Sequence, residues 1–162
     1  FYSFDERNHV GYAPEQPIPF SHKLHAGTME IDCRYCHTGV EKSRHATVPS
    51  VDTCMNCHSV VKTGQEPIKK LRKYFDAQES VPWKRIHKLP DYVYFNHSIH
   101  ISKGVDCTEC HGDIREMDVV KKVRPLSMGD CLSCHRETHK VVTDTEIVEK
   151  IQGPQHCIAC HR

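Results

Sequence analysis

Between residues 66 and 78 the apolar positions Ile68, Leu71 and Phe75 fall on one helical face, and Pro67 suits a first turn. A short helix over Glu66 to Gln78 is therefore predicted. Lys69, Lys70, Arg72 and Lys73 cover its remainder, a basic run read as a solvated or anion-pairing face rather than a docking patch. The next stretch, SVPWKRIHKLPDYVYF (80 to 95), sets two prolines among aromatic residues and reads as an extended strap. YAPEQPIPF (12 to 20) reads as an extended lead-in. No stretch reaches the roughly 18 apolar residues of a membrane span. With 38% hydrophobic residues, one Trp and five Phe, the polypeptide has little apolar material for a core of ordinary size.

The cysteines change that picture. All ten lie in five copies of Cys-x-x-Cys-His: CRYCH (33 to 37), CMNCH (54 to 58), CTECH (107 to 111), CLSCH (131 to 135) and CIACH (157 to 161). Cys33, Cys36, Cys54, Cys57, Cys107, Cys110, Cys131, Cys134, Cys157 and Cys160 would each add a thiol across a haem vinyl group. His37, His58, His111, His135 and His161 would then offer the proximal imidazole to each iron. Zinc ribbons pair their Cys-x-x-Cys units, so five leave one over and the histidines unexplained. Redox dithiols in a thioredoxin-like setting and tight disulfides leave the histidines idle as well. Five covalent haem c groups are the expectation, and they supply the missing core: a mostly irregular chain with short α-helices wrapped around five stacked haems, with little or no β-sheet, and an apoprotein that does not fold.

Haem also corrects the charge. The formal +1 becomes about −4 oxidised and about −9 reduced once ten propionates and five ferric centres are included. The 22 Lys and Arg are then largely counter-charges, and nucleic-acid binding has no support. Thiol ligation to haem c is completed outside the bacterial cytoplasm. Since the sequence starts at Phe1 with no Met or signal segment, an export signal or membrane anchor ahead of it is expected.

An internal repeat organises the chain. FSHKLHAGTMEIDCRYCH (20 to 37) matches FNHSIHISKGVDCTECH (95 to 111), and PSVDTCMNCH (49 to 58) matches PLSMGDCLSCH (125 to 135). Residues 1–19 are an N-terminal lead-in, 20–61 a dihaem unit, 62–94 a helix and extended linker, and 95–162 a trihaem unit. Nine histidines lie outside the motifs: His9, His22, His25, His45, His87, His97, His100, His139 and His156. His22/His25 and His97/His100 stand at i, i+3 after an aromatic residue, so one helical turn could ligate two different irons.

This Phe-x-His-x-x-His lead-in resembles the small class III multihaem cytochromes c. In triheme members the first histidine of the doublet ligates the following haem, the second ligates the next, and a further ligand precedes the second motif. The resemblance implies His97 for the third haem, His100 for the fourth, and His22 and His25 for the first and second. The position before the second motif of the later unit is Met128, one residue nearer its cysteine than the family's histidine, and by analogy it would reach the fifth haem. His45, His87 and the thioether of Met117 are the alternatives.

QPIPFSHKLHAG, VEKSRHA with CMNCH, LPDYVYFNHSIH, and EMDVV with PLSMGDCLSCHRE are similar to the pentahaem cytochrome subunit of alternative complex III, a membrane-bound respiratory quinol oxidoreductase. That resemblance implies a periplasmic, haem-dominated domain behind an N-terminal membrane helix. It also implies electron relay from an iron–sulfur subunit toward a monohaem cytochrome c or a terminal oxidase. A free periplasmic shuttle and the haem subunit of another membrane oxidoreductase are the alternatives. A multihaem enzyme such as a nitrite or hydroxylamine oxidoreductase needs an open iron site, whereas here spare histidines and methionines outnumber five irons and no Cys-x-x-Cys-Lys variant occurs. No catalytic residue is expected.

Overall fold

Each Cys-x-x-Cys-His unit folds as, or at the end of, a helical turn. The computed structural model describes residues 9–137, 140–142, 147–149 and 152–161. The motif helices are α1 (Cys33–Cys36), α2 (Val51–His58), α5 (Cys107–His111), α6 (Met128–Arg136) and α7 (Cys157–Cys160). On such a turn the two cysteines at i and i+3 share one face. Helices this short are not stable alone, and three of the five are entered through a side-chain cap. Asp32 accepts from the Arg34 amide at 2.7 Å, Asp106 from the Thr108 amide at 2.8 Å, and Ser127 from the Asp130 amide at 3.3 Å.

The two histidine doublets also sit on turns. The first opens a π-helical turn, Lys23–Thr28, with His22 at its N-cap. The second lies in α4 (His97–Ser102), whose cap Asn96 accepts from the Ser98 amide at 3.0 Å. A 3-10 turn, Ile114–Glu116, follows the third motif. β1 (Lys140–Val142) and β2 (Ile147–Glu149) form a two-stranded antiparallel ribbon with Val141 opposite Val148. The fold is thus short helices in a mostly irregular chain, as the sequence predicted.

The predicted helix at 66 is α3 (Glu66–Asp76), with Pro67 in its first turn. It ends two residues early because Gln78 turns left-handed, φ 55°. Its buried stripe also differs from the expected one. Leu71 is buried, but Phe75 is 37% exposed, and Tyr74 packs inward instead. The basic run is largely engaged: Lys69 pairs with Glu66 at 2.6 Å, Arg72 with Asp76 at 3.4 Å, and Lys70 donates to the Pro17 carbonyl at 2.7 Å. The strap is irregular from residue 79 to 90.

The side-chain core is small. Ile18, Val51, Met55, Leu71 and Val81 cluster beside Cys54, Tyr74 and Trp83, between α2, α3, the lead-in and the strap. The chain exposes 11833 Å², whereas a folded protein of 18.7 kDa exposes about 8,300 Å². Its interior faces are therefore not closed by side chains, which is what a chain shaped around large apolar cofactors would look like. No helix among the described residues is long and apolar enough to cross a membrane.

Candidate haem-binding sites

Four of the five motif histidines commit Nδ1 to a backbone carbonyl and present the other ring nitrogen. His37 Nδ1 faces the Thr47 carbonyl at 2.7 Å, His58 Nδ1 that of Val61 at 3.1 Å, His135 Nδ1 that of Pro154 at 2.7 Å, and His161 Nδ1 that of Tyr92 at 3.2 Å. Three doublet histidines do the same: His25 with Ser21 at 2.8 Å, His97 with Arg44 at 2.9 Å, and His100 with Asn96 at 2.7 Å. A carbonyl only accepts, so Nδ1 must carry the proton, and Nε2 is left as a lone-pair donor. This is the arrangement by which proteins fix the tautomer of a metal-binding imidazole.

The rings are also paired. His25 and His58 have centroids 6.2 Å apart, His97 and His111 6.4 Å, and His100 and His135 6.1 Å. Metal–imidazole nitrogen bonds of about 2.0–2.1 Å on opposite sides of one metal put ring centres about 6 Å apart. All three pairs fit an iron held between two imidazoles. His37 lies near enough to His22 for its charge to oppose protonation of the His22 ring. Burial holds His22 and His111 down to about 4, so both are neutral across the physiological range, the form that ligates metal. His22 Nδ1 is buried with no hydrogen-bond partner.

Each doublet is set by the phenylalanine ahead of it. Phe20 stacks on His25 (4.4 Å, 24°) and meets His22 edge-on (4.8 Å, 86°). Phe95 stacks on His100 (4.4 Å, 28°) and meets His97 edge-on (4.8 Å, 90°). The internal repeat is therefore a repeat of geometry as well as of letters.

No disulfide joins the ten cysteines. Burial, with neighbouring thiols adding to it, pushes Cys36, Cys54, Cys107, Cys110 and Cys131 up, keeping them neutral. Of the remaining candidates, Met128 begins α6 and is 68% exposed, one turn before Cys131. His45 is exposed, as are His9 and His156, and His139 lies outside the described residues. Met117 is half-buried, and its carbonyl receives the Lys23 amide at 3.0 Å. His87 packs against His111 at 4.4 Å and 89°, too close and too perpendicular for an iron to lie between them. Its buried Nε2 has no hydrogen-bond partner, and burial lowers it to about 4.

Three features were not read from the sequence. Thr47 holds φ 65°, a rare conformation for a β-branched residue, while aiming its carbonyl at His37. Lys122 is 2% exposed, and its backbone clamps the lead-in through Gly11 and Tyr12 at 2.7 and 3.0 Å. Gly153 lies so close to the His135 ring that a β-carbon there would overlap it. The Phe20/Phe95 doublets were visible in the sequence, but the ring stacking was not.

A profile of the class III cytochrome c family matches residues 4–84, and one of cytochrome c7 and related cytochromes c matches residues 93–162. The menaquinone reductase multiheme cytochrome c subunit of Nitratidesulfovibrio vulgaris (strain Hildenborough) is 28% identical over 170 residues, spanning 91% of this chain and 77% of that protein. Paired imidazoles, paired thiols and these two matches agree: the chain belongs to the class III cytochrome c family, multihaem c-type cytochromes that transfer electrons.

Proposed function

We propose that this protein is a pentahaem relay subunit of a membrane-bound, quinone-linked respiratory complex on the periplasmic side of the bacterial cytoplasmic membrane, and is not itself an enzyme. The observation that carries it is the set of imidazole pairs at 6.1 to 6.4 Å, each ring's Nδ1 held away from the metal position wherever its partner carbonyl is described. A site with two imidazoles leaves an iron no open position for substrate. Haem c, when bound, supplies a one-electron iron couple. The chain's own residues orient the ligands, and burial keeps His22 and His111 neutral.

In this reading the ten motif cysteines carry five haems, and His37, His58, His111, His135 and His161 are proximal. The distal ligands are His22, His25, His97 and His100 for the first four haems in that order. Met128 serves the fifth, since it stands one turn before Cys131, a thiol that feels the thiol of Cys160. His87 is tied to His111 and is the weaker choice; His45 and Met117 are reserves. Residues 20–61 act as a dihaem unit and 95–162 as a trihaem unit.

The sequence resemblance favours quinol oxidation in an alternative complex III-like assembly, with an iron–sulfur subunit as donor and a monohaem cytochrome c or terminal oxidase as acceptor. The likeness to a menaquinone reductase subunit favours the opposite direction, electrons delivered toward quinone. Purification of the native complex separates the two. Mass spectrometry under denaturing conditions should show five haem additions, and quinol added to the complex should reduce them. Failure of quinol to reduce any haem, with reduced haems instead driving quinone reduction, selects the second reading; fewer than five haems in protein from a competent host overturns the pentahaem assignment.

A further inference from the structure

The motifs do not lie in space in their order along the chain. The second adjoins the first: Asn56 Nδ2, inside the second motif, donates to the Tyr35 hydroxyl, inside the first, at 3.0 Å. The first then adjoins the third. The Arg44 carbonyl, just beyond the first motif, faces His97 Nδ1 at 2.9 Å, and the His97 ring faces that of His111 in the third at 6.4 Å. Around this junction the Lys23 amide donates to the Met117 carbonyl at 3.0 Å and Ser21 Oγ to Asp118 Oδ1 at 2.7 Å. Gly27 packs so tightly on the Arg115 carbonyl that no β-carbon fits.

The third adjoins the fourth through Arg124, which donates to the Glu109 carbonyl at 2.8 Å and pairs with Asp130 at 2.9 Å. The fourth adjoins the fifth through the segment before α7: His135 Nδ1 meets the Pro154 carbonyl at 2.7 Å, and Gly153 lies on the same ring. The second motif, by contrast, backs onto α3 and the small core, and its His58 opens on a surface cleft lined by Thr63, Ile68, Lys69 and Arg72.

We propose that the five motifs form one line in the order second, first, third, fourth, fifth, so that the second and fifth motifs are the two ends at which partner proteins exchange electrons with this subunit. The inference rests on the reading above that all five motifs hold haem. It makes the first motif an interior position although it comes first in the chain, and the second an end although it is flanked in sequence on both sides.

The test uses the five-haem holoprotein. Fully reduced and diamagnetic, it allows inter-haem proton contacts to be mapped by NMR, each haem being assigned through its thioether links to its own cysteines. Contacts are expected between the haem on Cys33/Cys36 and that on Cys107/Cys110. Contacts between the haem on Cys54/Cys57 and that on Cys107/Cys110, without the former, overturn the order. A second readout uses His22→Met and His25→Met, each raising the potential of one haem so that it becomes diamagnetic first. At that poise two other haems should lose magnetic coupling in EPR for His22→Met and one for His25→Met, and the reverse counts overturn the proposal. A mass showing fewer than five haems would instead sink the pentahaem reading, independently of the order.

Discussion

A histidine next to a Cys-x-x-Cys is visible in the sequence, but the group that orients it is a backbone carbonyl with no side-chain identity. Seven imidazoles here owe their tautomer to carbonyls on Ser21, Arg44, Thr47, Val61, Tyr92, Asn96 and Pro154. Those residues share no chemistry, so no motif could have named them. The doublet histidines were legible because spacing alone puts them on one turn. The fifth distal ligand was not, since it depends on how α6 meets the last motif. Met128 gives that question a sharp answer: a thioether favours ferrous iron and raises a haem's potential relative to bis-imidazole. Met128→His is expected to lower the potential of one centre in a spectroelectrochemical titration and abolish a far-red sulfur-to-iron charge-transfer band. Absence of that band from the unmodified protein would return the choice to His45, His87 and Met117.

At the level of elements, the two doublet turns differ in helix type yet hold their rings alike. One is a π turn and the other an α turn, but each phenylalanine makes one stacked and one edge-on contact of matching distance. The geometry is set by the aromatic wedge more than by the backbone. Aromatic pairs of this kind contribute about 0.5–1.5 kcal/mol beyond area burial. Phe20→Leu and Phe95→Leu are each expected to lower stability by about that amount, in a denaturant titration of the holoprotein. The loss should be accompanied by broadened low-spin EPR signals from the haem whose ligand has lost its stack, served by His25 or His100 respectively. Unchanged line shapes would show that the wedge only fills space. For α3 the helix was legible and one position of its buried face was not. Counting i, i+4 from Leu71 selected Phe75, while the core lies on the i+3 side and takes Tyr74. Helical periodicity allows both; only the position of the neighbouring α2 chooses.

For the whole molecule, composition carried further than topology did. A chain too poor in apolar residues to close a core was legible from counts, and the excess of exposed surface follows from the same shortage. The order of the motifs was not legible, because it is decided by contacts such as Ser21 with Asp118, 97 residues apart. The full coordination proposed above concerns the assembled molecule and has a simple check. The undamaged ferrous holoprotein is expected to bind carbon monoxide poorly and to turn over no nitrite. A stoichiometric carbon monoxide complex would reveal an iron with an open position and favour an enzyme.

The carbonyl that orients His97 belongs to Arg44, and the one that orients His135 belongs to Pro154. If the chain is exported N-terminus first, as proposed, these contacts would form in stages. The carbonyls serving His25, His37 and His58 come from residues 21, 47 and 61, so the groups of the first two sites are assembled from a short local stretch. That finished stretch then presents Arg44 as a template on which α4 settles as it emerges. The fourth motif has to wait, its imidazole unanchored, until Pro154 has crossed, and the fifth closes back on Tyr92 and Tyr94, already delivered long before. Haem loading of this protein would thus be a relay in time, with each completed site building the seat of a later one.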